Sequence, residues 1–305
     1  MLFENIIDTI GKTPLVKLKD ADNRASIYVK VESFNPSGSV KDRPVKYILK
    51  DLMDQGILKE GDTIIEQTSG NTGVGLAMAS ASLGLKAMIV MPDTMTVERH
   101  RLMQAYGAEL VLTPGSEGMA GAKAKAQELS EELDAPIFGQ FTNQANVKAH
   151  EETTAKEILA DLPDVAAFVA GIGTGGTVTG VGKTLKANDA NTIIWGVEPT
   201  DSPLLSEGKA GSHKIQGIGA NFVPDILDQK VIDRIFTVTN DQAIDTMVKL
   251  AKTEGILAGV SAGANVYAAL QLAEELGAGK KVVTVLPDTG ERYLSSGFFG
   301  DEGAQ

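Results

Sequence analysis

Short apolar segments alternate with longer amphipathic segments along most of the chain. Several of the short segments are rich in β-branched residues and apolar on both faces, as strands of a parallel sheet covered by helices should be. We therefore predict six buried strands, at 63–66, 87–91, 109–112, 167–170, 193–197 and 282–286.

The segments between these strands carry apolar residues at spacings of three and four, which indicates amphipathic helices. The clearest case is 241–254, for which Asn240 is the predicted N-cap. Further helices are predicted over 98–106, 120–133, 147–160 and 263–276. The alternation of strands and helices predicts an α/β fold with parallel sheets and right-handed crossovers.

The composition limits the classes of function. The chain has 305 residues, 43% of them hydrophobic, which is enough for one large domain or two smaller ones. With 28 basic and 40 acidic residues its net charge is −12, which argues against nucleic acid or an anionic membrane as a partner. Cysteine is absent, so disulfides and thiolate chemistry are excluded, and a cytoplasmic location is expected. The first residues carry no signal-peptide pattern, and no apolar run reaches the length of a membrane span.

A glycine-rich segment at 171–176, Gly-Ile-Gly-Thr-Gly-Gly, matches the G-x-G-x-x-G pattern of dinucleotide-binding folds. It follows a predicted strand, and Glu198 lies about 20 residues further on, as that fingerprint requires. An NAD-dependent dehydrogenase is therefore one interpretation, although the motif lies in the middle of the chain. Whether or not the protein is a dehydrogenase, closely spaced glycines expose backbone N–H groups that suit a phosphate at a helix N-terminus.

A second motif, Gly-Val-Ser-Ala-Gly at 259–263, matches the nucleophile turn of α/β-hydrolases. That family places its catalytic histidine after the serine, whereas every histidine here precedes Ser261, so the hydrolase interpretation is excluded. The histidines are His100, His150 and His213. They also lack the spacing of metal ligands, and no metal site is predicted. Ser261 is then either a helix cap or a hydroxyl that faces a cofactor.

Lys41 lies in the run 35–43, where turn-forming residues precede it and charged residues follow it. A single lysine is by default a solvated surface amine. Elsewhere, however, the chain offers three further features: an anion-binding turn at 68–73, the glycine turn at 171–177 as a phosphate cradle, and the hydroxyl of Ser261. Together these segments supply what is needed to hold pyridoxal phosphate (PLP) as a Schiff base on Lys41.

Several segments, in their order along the chain, resemble the cysteine synthases (O-acetylserine sulfhydrylases) and cystathionine β-synthases. These families belong to the tryptophan-synthase-β-like group of PLP enzymes. The resemblance covers nearly the whole length, and the number and order of the matching segments make it specific. The segments are 10–15 (Ile-Gly-Lys-Thr-Pro-Leu), 35–43, 68–73, 140–141 (Gln-Phe), 173–177, 215–219 (Ile-Gln-Gly-Ile-Gly) and 288–295 (Asp-Thr-Gly-Glu-Arg-Tyr-Leu-Ser).

The resemblance implies a role for each matching residue. Lys41 would form the internal aldimine with PLP and, once released, act as the base at the substrate Cα. Asn71 would bind the 3′-oxygen of the cofactor, and Ser261 would meet its pyridine nitrogen. The cofactor phosphate would be bound by Gly173, Thr174, Gly175, Gly176 and Thr177. The substrate α-carboxylate would be bound by Thr68, Ser69, Gly70, Asn71, Thr72 and Gln140.

The resemblance also implies two domains, each a mainly parallel twisted sheet flanked by helices, as in PLP enzymes of fold type II. Residues 1–12 and 35–145 would form a mobile N-terminal domain, and residues 13–34 and 146–305 a C-terminal domain, with PLP in the cleft between them. A homodimer is expected, and serine acetyltransferase is a further possible partner.

The implied reaction is a PLP-dependent β-replacement that converts O-acetylserine and sulfide to cysteine and acetate through an aminoacrylate. The nearest alternative is a cystathionine β-synthase that uses serine or O-acetylserine with homocysteine, since that family shares the same core residues. More distant alternatives are the NAD-dependent dehydrogenase and a non-catalytic binding protein on the same fold. A binding protein would have no need of an aldimine lysine.

Overall fold

The computed structural model describes residues 2–20, 23–94 and 97–300, with the side chains of residues 97 and 98 left out. The described chain forms two compact units. The first consists of Met1–Ile10 and Asn35–Asn146, and the second of Gly11–Phe34 and Val147–Gln305.

The strands of the described residues are β1 (Leu15–Lys17), β2 (Ser26–Val31), β3 (Thr63–Gln67), β4 (Lys86–Pro92), β5 (Glu109–Thr113), β6 (Ala167–Gly171), β7 (Ile193–Pro199), β8 (Arg234–Val238) and β9 (Lys281–Leu286). The α-helices are α1 (Asp42–Asp54), α2 (Asn71–Leu83), α3 (Val97–Ala105), α4 (Gly118–Leu133), α5 (Ala145–Ala149), α6 (Ala155–Asp161), α7 (Gly176–Asn188), α8 (Leu204–Glu207), α9 (Asn240–Glu254) and α10 (Val260–Leu276). All six predicted strands are present, and the α/β class with mainly parallel sheets is confirmed.

The first unit is built on a three-stranded parallel sheet with the order β3-β4-β5. Helix α2 packs against both α1 and β4 and is buried at every position from Thr72 to Ser80. Its sequence is rich in alanine and glycine, which lets neighbouring elements approach it on all sides. The core joins residues of α1, α2 and the sheet, including Ile48, Leu76 and Ile89.

The second unit contains a six-stranded sheet with the order β1-β2-β9-β6-β7-β8. All neighbouring pairs are parallel except β1 and β2, which form an antiparallel edge. Helix α10 packs against β9 and β6 and against helix α9. The two glycine motifs of this unit lie at helix N-termini. The motif at 171–176 joins the end of β6 to α7, and the motif at 259–263 lies at the start of α10.

Two of the predicted helices differ in detail from the structure. Asn240 is the first residue of α9 and not its N-cap; the cap is Thr239, whose side chain accepts a hydrogen bond from Gln242 in a capping box. The predicted helix 147–160 is divided by a π-helical turn at His150–Thr154 between α5 and α6. At this turn Gly180 of α7 lies so close that an added Cβ would stand 2.5 Å from the Val147 carbonyl oxygen.

Candidate active site

Lys41 immediately precedes α1, at the end of a turn that a buried carboxylate holds in place. Asp42 is fully buried, and it accepts hydrogen bonds from the Ser37 backbone N–H, at 2.7 Å, and from the Ser37 hydroxyl. An anion is favourable in the first turn of a helix, so Asp42 stabilises both α1 and the turn before it. This fixes the backbone of the half-buried Lys41.

The predicted carboxylate turn connects the end of β3 to the N-terminus of α2. Gly70 is the N-cap residue of this helix, and its N–H donates to the Thr68 hydroxyl at 3.3 Å. Backbone N–H groups at the start of a 13-residue helix favour an anion, and no arginine is needed. Thr68 and Thr72 are both buried, which places their hydroxyls where a ligand would be shielded from water.

Gln140 is held directly beside this turn. The Thr72 hydroxyl donates to Oε1 of Gln140 at 2.7 Å, and Nδ2 of Asn146 donates to the Gln140 backbone carbonyl at 2.8 Å. The structure therefore brings together Thr72 and Gln140, two of the residues assigned to the substrate carboxylate, although 68 positions separate them in sequence.

Glu66 is a buried residue of this region that the sequence did not single out. Its Oε1 accepts from Nε2 of Gln140 at 2.8 Å, and its Oε2 accepts from the Gly139 N–H at 3.0 Å. Burial raises the pKa of Glu66 from 4.5 to about 7, against the opposing effect of the N–H groups of Gly139 and Gln140. A glutamate directly after two buried isoleucines of a strand is the signal that sequence offers.

The raised pKa of Glu66 predicts a dependence of stability on pH. Between pH 4.5 and about 7, Glu66 is mostly protonated in the folded protein but mostly ionised in the unfolded chain. The stabilising contribution is therefore complete at low pH and is lost as the pH rises through that window. Between about pH 5 and pH 8 we expect the free energy of unfolding of the native protein to fall by about 2 kcal/mol relative to Glu66→Gln. Urea unfolding of both apoproteins measures this difference, and a constant difference across the two pH values would contradict it.

The predicted phosphate cradle, the glycine turn at 171–177 in the second unit, joins β6 to the N-terminus of α7. Gly175 has φ +84°, a left-handed conformation that favours glycine. A Cβ on Gly173 would stand 2.3 Å from the carbonyl oxygen of Gly217. The turn is therefore compact, and it places backbone N–H groups at the start of a 13-residue helix, which fits a phosphate group.

Gly173→Ala is expected to damage this cradle, because the new Cβ would meet backbone rather than a side chain that can move. We expect the affinity for PLP to fall by a factor of about 10 to 100, since the turn must open by roughly 1 Å. Equilibrium dialysis with PLP measures the loss. Gly182→Ala in α7 is the matched control, because its Cβ would come no closer than 3.3 Å to a side chain. Equal PLP affinity in the two variants would refute the assignment.

Two further polar residues support the cradle from beneath. His150 is buried, with Nε2 3.2 Å from the Thr177 hydroxyl and Nδ1 2.9 Å from the Thr154 hydroxyl. Asn265 of α10 accepts from the Gly171 N–H at 2.8 Å and donates to the Val285 carbonyl at 2.8 Å. His150 is thus a hydrogen-bonded core residue, and Asn265 ties the start of the turn to α10 and β9.

Ser261 is the second residue of α10, and it is buried. It is not the helix cap, because Gly259 holds that position. Among the described residues, none is hydrogen-bonded to the Ser261 hydroxyl, which leaves it available to a ligand. Ser261 lies beside Gly217, which also closes the phosphate cradle, so the cradle and Ser261 belong to one cluster of the second unit.

Glu198, the acidic residue of the dinucleotide fingerprint, has a different role in the structure. Its buried carboxylate accepts from the backbone N–H groups of Leu205 and Ser206, at 2.8 and 3.0 Å, and thereby caps the start of α8. Both oxygens are engaged, so the residue is not free to bind the hydroxyls of a ribose. This weakens the dehydrogenase interpretation.

The predicted site residues thus fall into two sets. The first unit carries Lys41, Thr68, Ser69, Gly70, Asn71, Thr72 and Gln140, and the second carries Gly173, Thr174, Gly175, Gly176, Thr177 and Ser261. In the described part of the chain, no group of three or more His, Asp or Glu residues could hold a metal ion. None of the described helices combines the length and apolar character needed to cross a membrane.

Comparison with known proteins gives consistent relatives. A family model described as pyridoxal-phosphate dependent enzyme matches residues 6–288. A cysteine synthase of Staphylococcus aureus strain Mu50 is 53% identical over 297 residues, which cover 96% of each chain. Among solved structures, an O-ureido-L-serine synthase is 47% identical with a TM-score of 0.97, and the match covers 100% of this chain and 98% of that one.

A further solved structure bears on the choice of substrate. The O-acetylserine dependent cystathionine β-synthase from Helicobacter pylori is 39% identical with a TM-score of 0.91, and the match covers 98% of this chain and 99% of that one. The same backbone therefore accommodates enzymes whose names state different products.

Proposed function

Because the chain belongs to the pyridoxal-phosphate dependent enzymes, we propose that it is a cysteine synthase that converts O-acetylserine and sulfide to cysteine and acetate. The observation that supports this most is the 53% identity with a cysteine synthase along 96% of both chains. The structure is compatible with it, because the chain has an anion-binding turn at the start of α2 and a second at the start of α7.

The residues of the second unit fit the cofactor. The compact glycine turn before α7 would hold the phosphate through N–H groups and the hydroxyls of Thr174 and Thr177. The Ser261 hydroxyl would meet the pyridine nitrogen, and a neutral hydroxyl does not enforce protonation of that nitrogen as an aspartate would. Bound PLP supplies an electron sink for the charge that develops at the substrate Cα.

The residues of the first unit would bind the cofactor covalently and orient the amino acid. Lys41 would provide the amine that links to PLP, and Asn71 would bind the cofactor's 3′-oxygen. The same Lys41 amine would remove the proton from Cα of the substrate and return it at the end of the reaction. Between these proton transfers the Cβ–O bond to acetate breaks, and a bond from sulfur to Cβ forms.

The turn at 68–72 and Gln140 would bind the substrate α-carboxylate. The turn offers N–H groups and hydroxyls at a helix N-terminus, which bind an anion by oriented dipoles. Fixing the carboxylate orients Cα relative to the Lys41 amine. This positioning is a main contribution that a protein makes to a reaction whose electronic demands a cofactor meets.

Two alternative products require testing because solved relatives carry their names. The H. pylori relative is a cystathionine β-synthase, and the relative with the TM-score of 0.97 is an O-ureido-L-serine synthase. The two named products carry different groups at Cβ. By β-replacement, cystathionine would require the sulfur of homocysteine as the nucleophile, and O-ureido-L-serine would require the oxygen of hydroxyurea. The α-carboxylate turn and the phosphate cradle would serve all three reactions.

The experiment is a comparison of kcat/KM for sulfide, homocysteine and hydroxyurea, each with O-acetylserine and with serine, on the PLP-loaded protein. We expect O-acetylserine with sulfide to exceed every other pair by at least about tenfold. A higher kcat/KM with homocysteine or hydroxyurea would replace the proposed product by the corresponding alternative.

We further propose that the protein is a cytoplasmic homodimer and that it binds serine acetyltransferase. The resemblance to cysteine synthases supports this proposal. Sedimentation of the purified protein, alone and with a serine acetyltransferase, tests both associations. A monomer that does not co-sediment with the acetyltransferase would contradict them.

A further inference from the structure

Three side chains of the first unit form a continuous hydrogen-bond chain beneath the carboxylate turn. The Thr72 hydroxyl donates to Oε1 of Gln140 at 2.7 Å, and Nε2 of Gln140 donates to Oε1 of Glu66 at 2.8 Å. All three residues are buried. The hydrogen-bond chain links a titratable group to two residues assigned to the substrate α-carboxylate, so any role of Glu66 in substrate binding rests on the proposed function.

The direction of this hydrogen-bond chain depends on the charge of Glu66. An ionised carboxylate only accepts hydrogen bonds, so it requires an N–H of Gln140 to point towards it. The amide oxygen of Gln140 then faces Thr72 and consumes the hydrogen of the Thr72 hydroxyl. In this state that hydroxyl has no hydrogen left to donate to a substrate carboxylate.

A neutral Glu66 reverses the hydrogen-bond chain. The protonated carboxyl donates its O–H to Gln140, whose amide turns so that its oxygen accepts and its nitrogen faces Thr72. The oxygen and nitrogen of an amide are similar in size, so the heavy atoms need not move. The Thr72 hydroxyl now accepts from Gln140, and its own hydrogen becomes available. The second oxygen of Glu66 continues to accept from the Gly139 N–H.

We propose that Glu66 is a positioning residue that takes up a proton from solvent when the substrate α-carboxylate binds, which reverses the hydrogen-bond chain and directs the Thr72 hydroxyl hydrogen to that carboxylate. Two causes act in the same direction. A second anion close to a buried carboxylate disfavours the ionised form of that carboxylate, and the reversed chain provides one more donor to the substrate.

The pKa of Glu66 in the ligand-free protein supports this proposal, because burial has already raised that pKa to about 7. Near neutral pH the protonated form is therefore accessible, and a modest further rise on ligand binding suffices to complete proton uptake. In an exposed carboxylate, with an ordinary pKa near 4.3, the same ligand would leave the group ionised.

Charged groups on neighbouring elements do not account for the state of Glu66. Among the described residues, none forms an ion pair with it, and only N–H groups and burial contribute to its pKa shift. Helix α2 carries no titratable residue, and Asp51 of α1 contacts the 139–146 segment through Asn143 rather than through Glu66. The other charged residues on elements packed against β3 are half-buried or exposed: Lys86 of β4, and Lys123, Lys125, Glu128, Glu131 and Glu132 of α4, with Asp134 after it.

Glu66→Gln provides the test, because its amide imitates the neutral carboxyl. The amide oxygen can accept from the Gly139 N–H, and the amide nitrogen can donate to the oxygen of Gln140. The probe is L-alanine, which has no leaving group, and its binding to the PLP-loaded protein is followed by the visible absorption of the cofactor. The native protein and the variant are titrated between about pH 6 and pH 8.5.

We expect the two proteins to bind L-alanine equally near pH 6, and the variant to bind it about tenfold more tightly than the native protein near pH 8.5. The α-amine of alanine titrates identically in both, so the ratio of the two dissociation constants isolates Glu66. A ratio that does not change with pH, or weaker binding by the variant at every pH, would overturn the proposal. If Glu66 had a purely structural role, its replacement would not make the protein bind L-alanine more tightly.

Two controls separate this inference from the proposed function. Glu109→Gln removes an exposed carboxylate of β5 in the same unit and should retain the native pH profile. L-alaninamide, which lacks the carboxylate, should bind more weakly than L-alanine to the native protein and show no advantage for the Glu66 variant. If the native protein does not distinguish the two ligands, the assignment of the carboxylate turn fails. If it does distinguish them but the pH-dependent ratio is absent, only the role of Glu66 fails.

Should Glu66→Gln fail to fold, the native protein alone decides the matter. Calorimetric titration with L-alanine in two buffers of different ionisation enthalpy, at about pH 7.5, gives the number of protons bound. Proton uptake should be greater with L-alanine than with L-alaninamide after correction for the amine of each ligand. Equal uptake with the two ligands would overturn the proposal.

Discussion

Lys41→Ala is expected to reduce the rate of cysteine formation by a factor of about 10³ to 10⁴ or more. The substitution removes the amine that would link to PLP and the base that would act at Cα, and a positioned base alone contributes about 10² to 10⁴. The visible absorption of the lysine-linked cofactor should disappear as well. Steady-state assays and an absorption spectrum of the PLP-treated protein measure both effects.

Lys46→Ala is the matched control, because this lysine lies one turn further along α1. Its amine contacts the Ile7 carbonyl and Asp8 at the surface of the first unit, away from the residues assigned to the reaction. It should retain its activity and its absorption spectrum. Equal activity in the Lys41 variant and the native protein, or a loss in both variants, would contradict the role assigned to Lys41.

Gly263→Ala is expected to have the largest effect on stability. Gly263 lies where α10 crosses α9, and an added Cβ would stand 1.9 Å from the Ala243 carbonyl oxygen and 2.9 Å from the Met247 backbone nitrogen. Both neighbours are backbone atoms, so the helices themselves must separate. We expect the free energy of unfolding to fall by about 3 kcal/mol or more.

Denaturant unfolding of the apoprotein measures this loss. Gly182→Ala, which meets only side-chain carbon atoms at 3.3 Å or beyond, should change stability by about 1 kcal/mol or less. Because α10 carries Ser261 two residues before Gly263, the Gly263 variant should also bind PLP more weakly. A Gly263 variant as stable as the Gly182 variant would show that the helices do not approach as closely as described.

Six of the described strands could be predicted because each contains a short apolar run, whereas β1, β2 and β8 are not among the predicted segments. Segments 167–170 and 282–286, for example, lie in the middle of the six-stranded sheet as β6 and β9. The edge strand β5 is only partly buried. Helix α2 gives no comparable pattern, because it is buried on all sides from Thr72 to Ser80 and its apolar residues are not confined to one face. Helix α7 is also not predicted, because its glycines lower helix propensity, and at Gly180 the glycine reflects close approach to the backbone of Val147.

The candidate site likewise contains residues that sequence could predict and residues that it could not. The glycine turns and Lys41 were predictable because a phosphate and a Schiff base each require particular residue types in a short segment. The membership of the chain in the PLP-dependent enzymes is confirmed, whereas the roles of the individual residues stay predictions. Glu66 could not be placed from sequence, because it is distinguished by its hydrogen bond with Gln140, a residue 74 positions away that only the fold brings into contact. The choice of nucleophile likewise depends on residues that no motif identifies.

The proposed function is tested most directly by a single competition. The PLP-loaded protein is given O-acetylserine with equal concentrations of sulfide and homocysteine, and the products are quantified by mass spectrometry together with the acetate released. Cysteine should form in a 1:1 ratio with acetate and exceed cystathionine by at least about tenfold. Cystathionine as the main product would contradict the proposed cysteine synthase activity, and the absence of both products would contradict β-replacement itself.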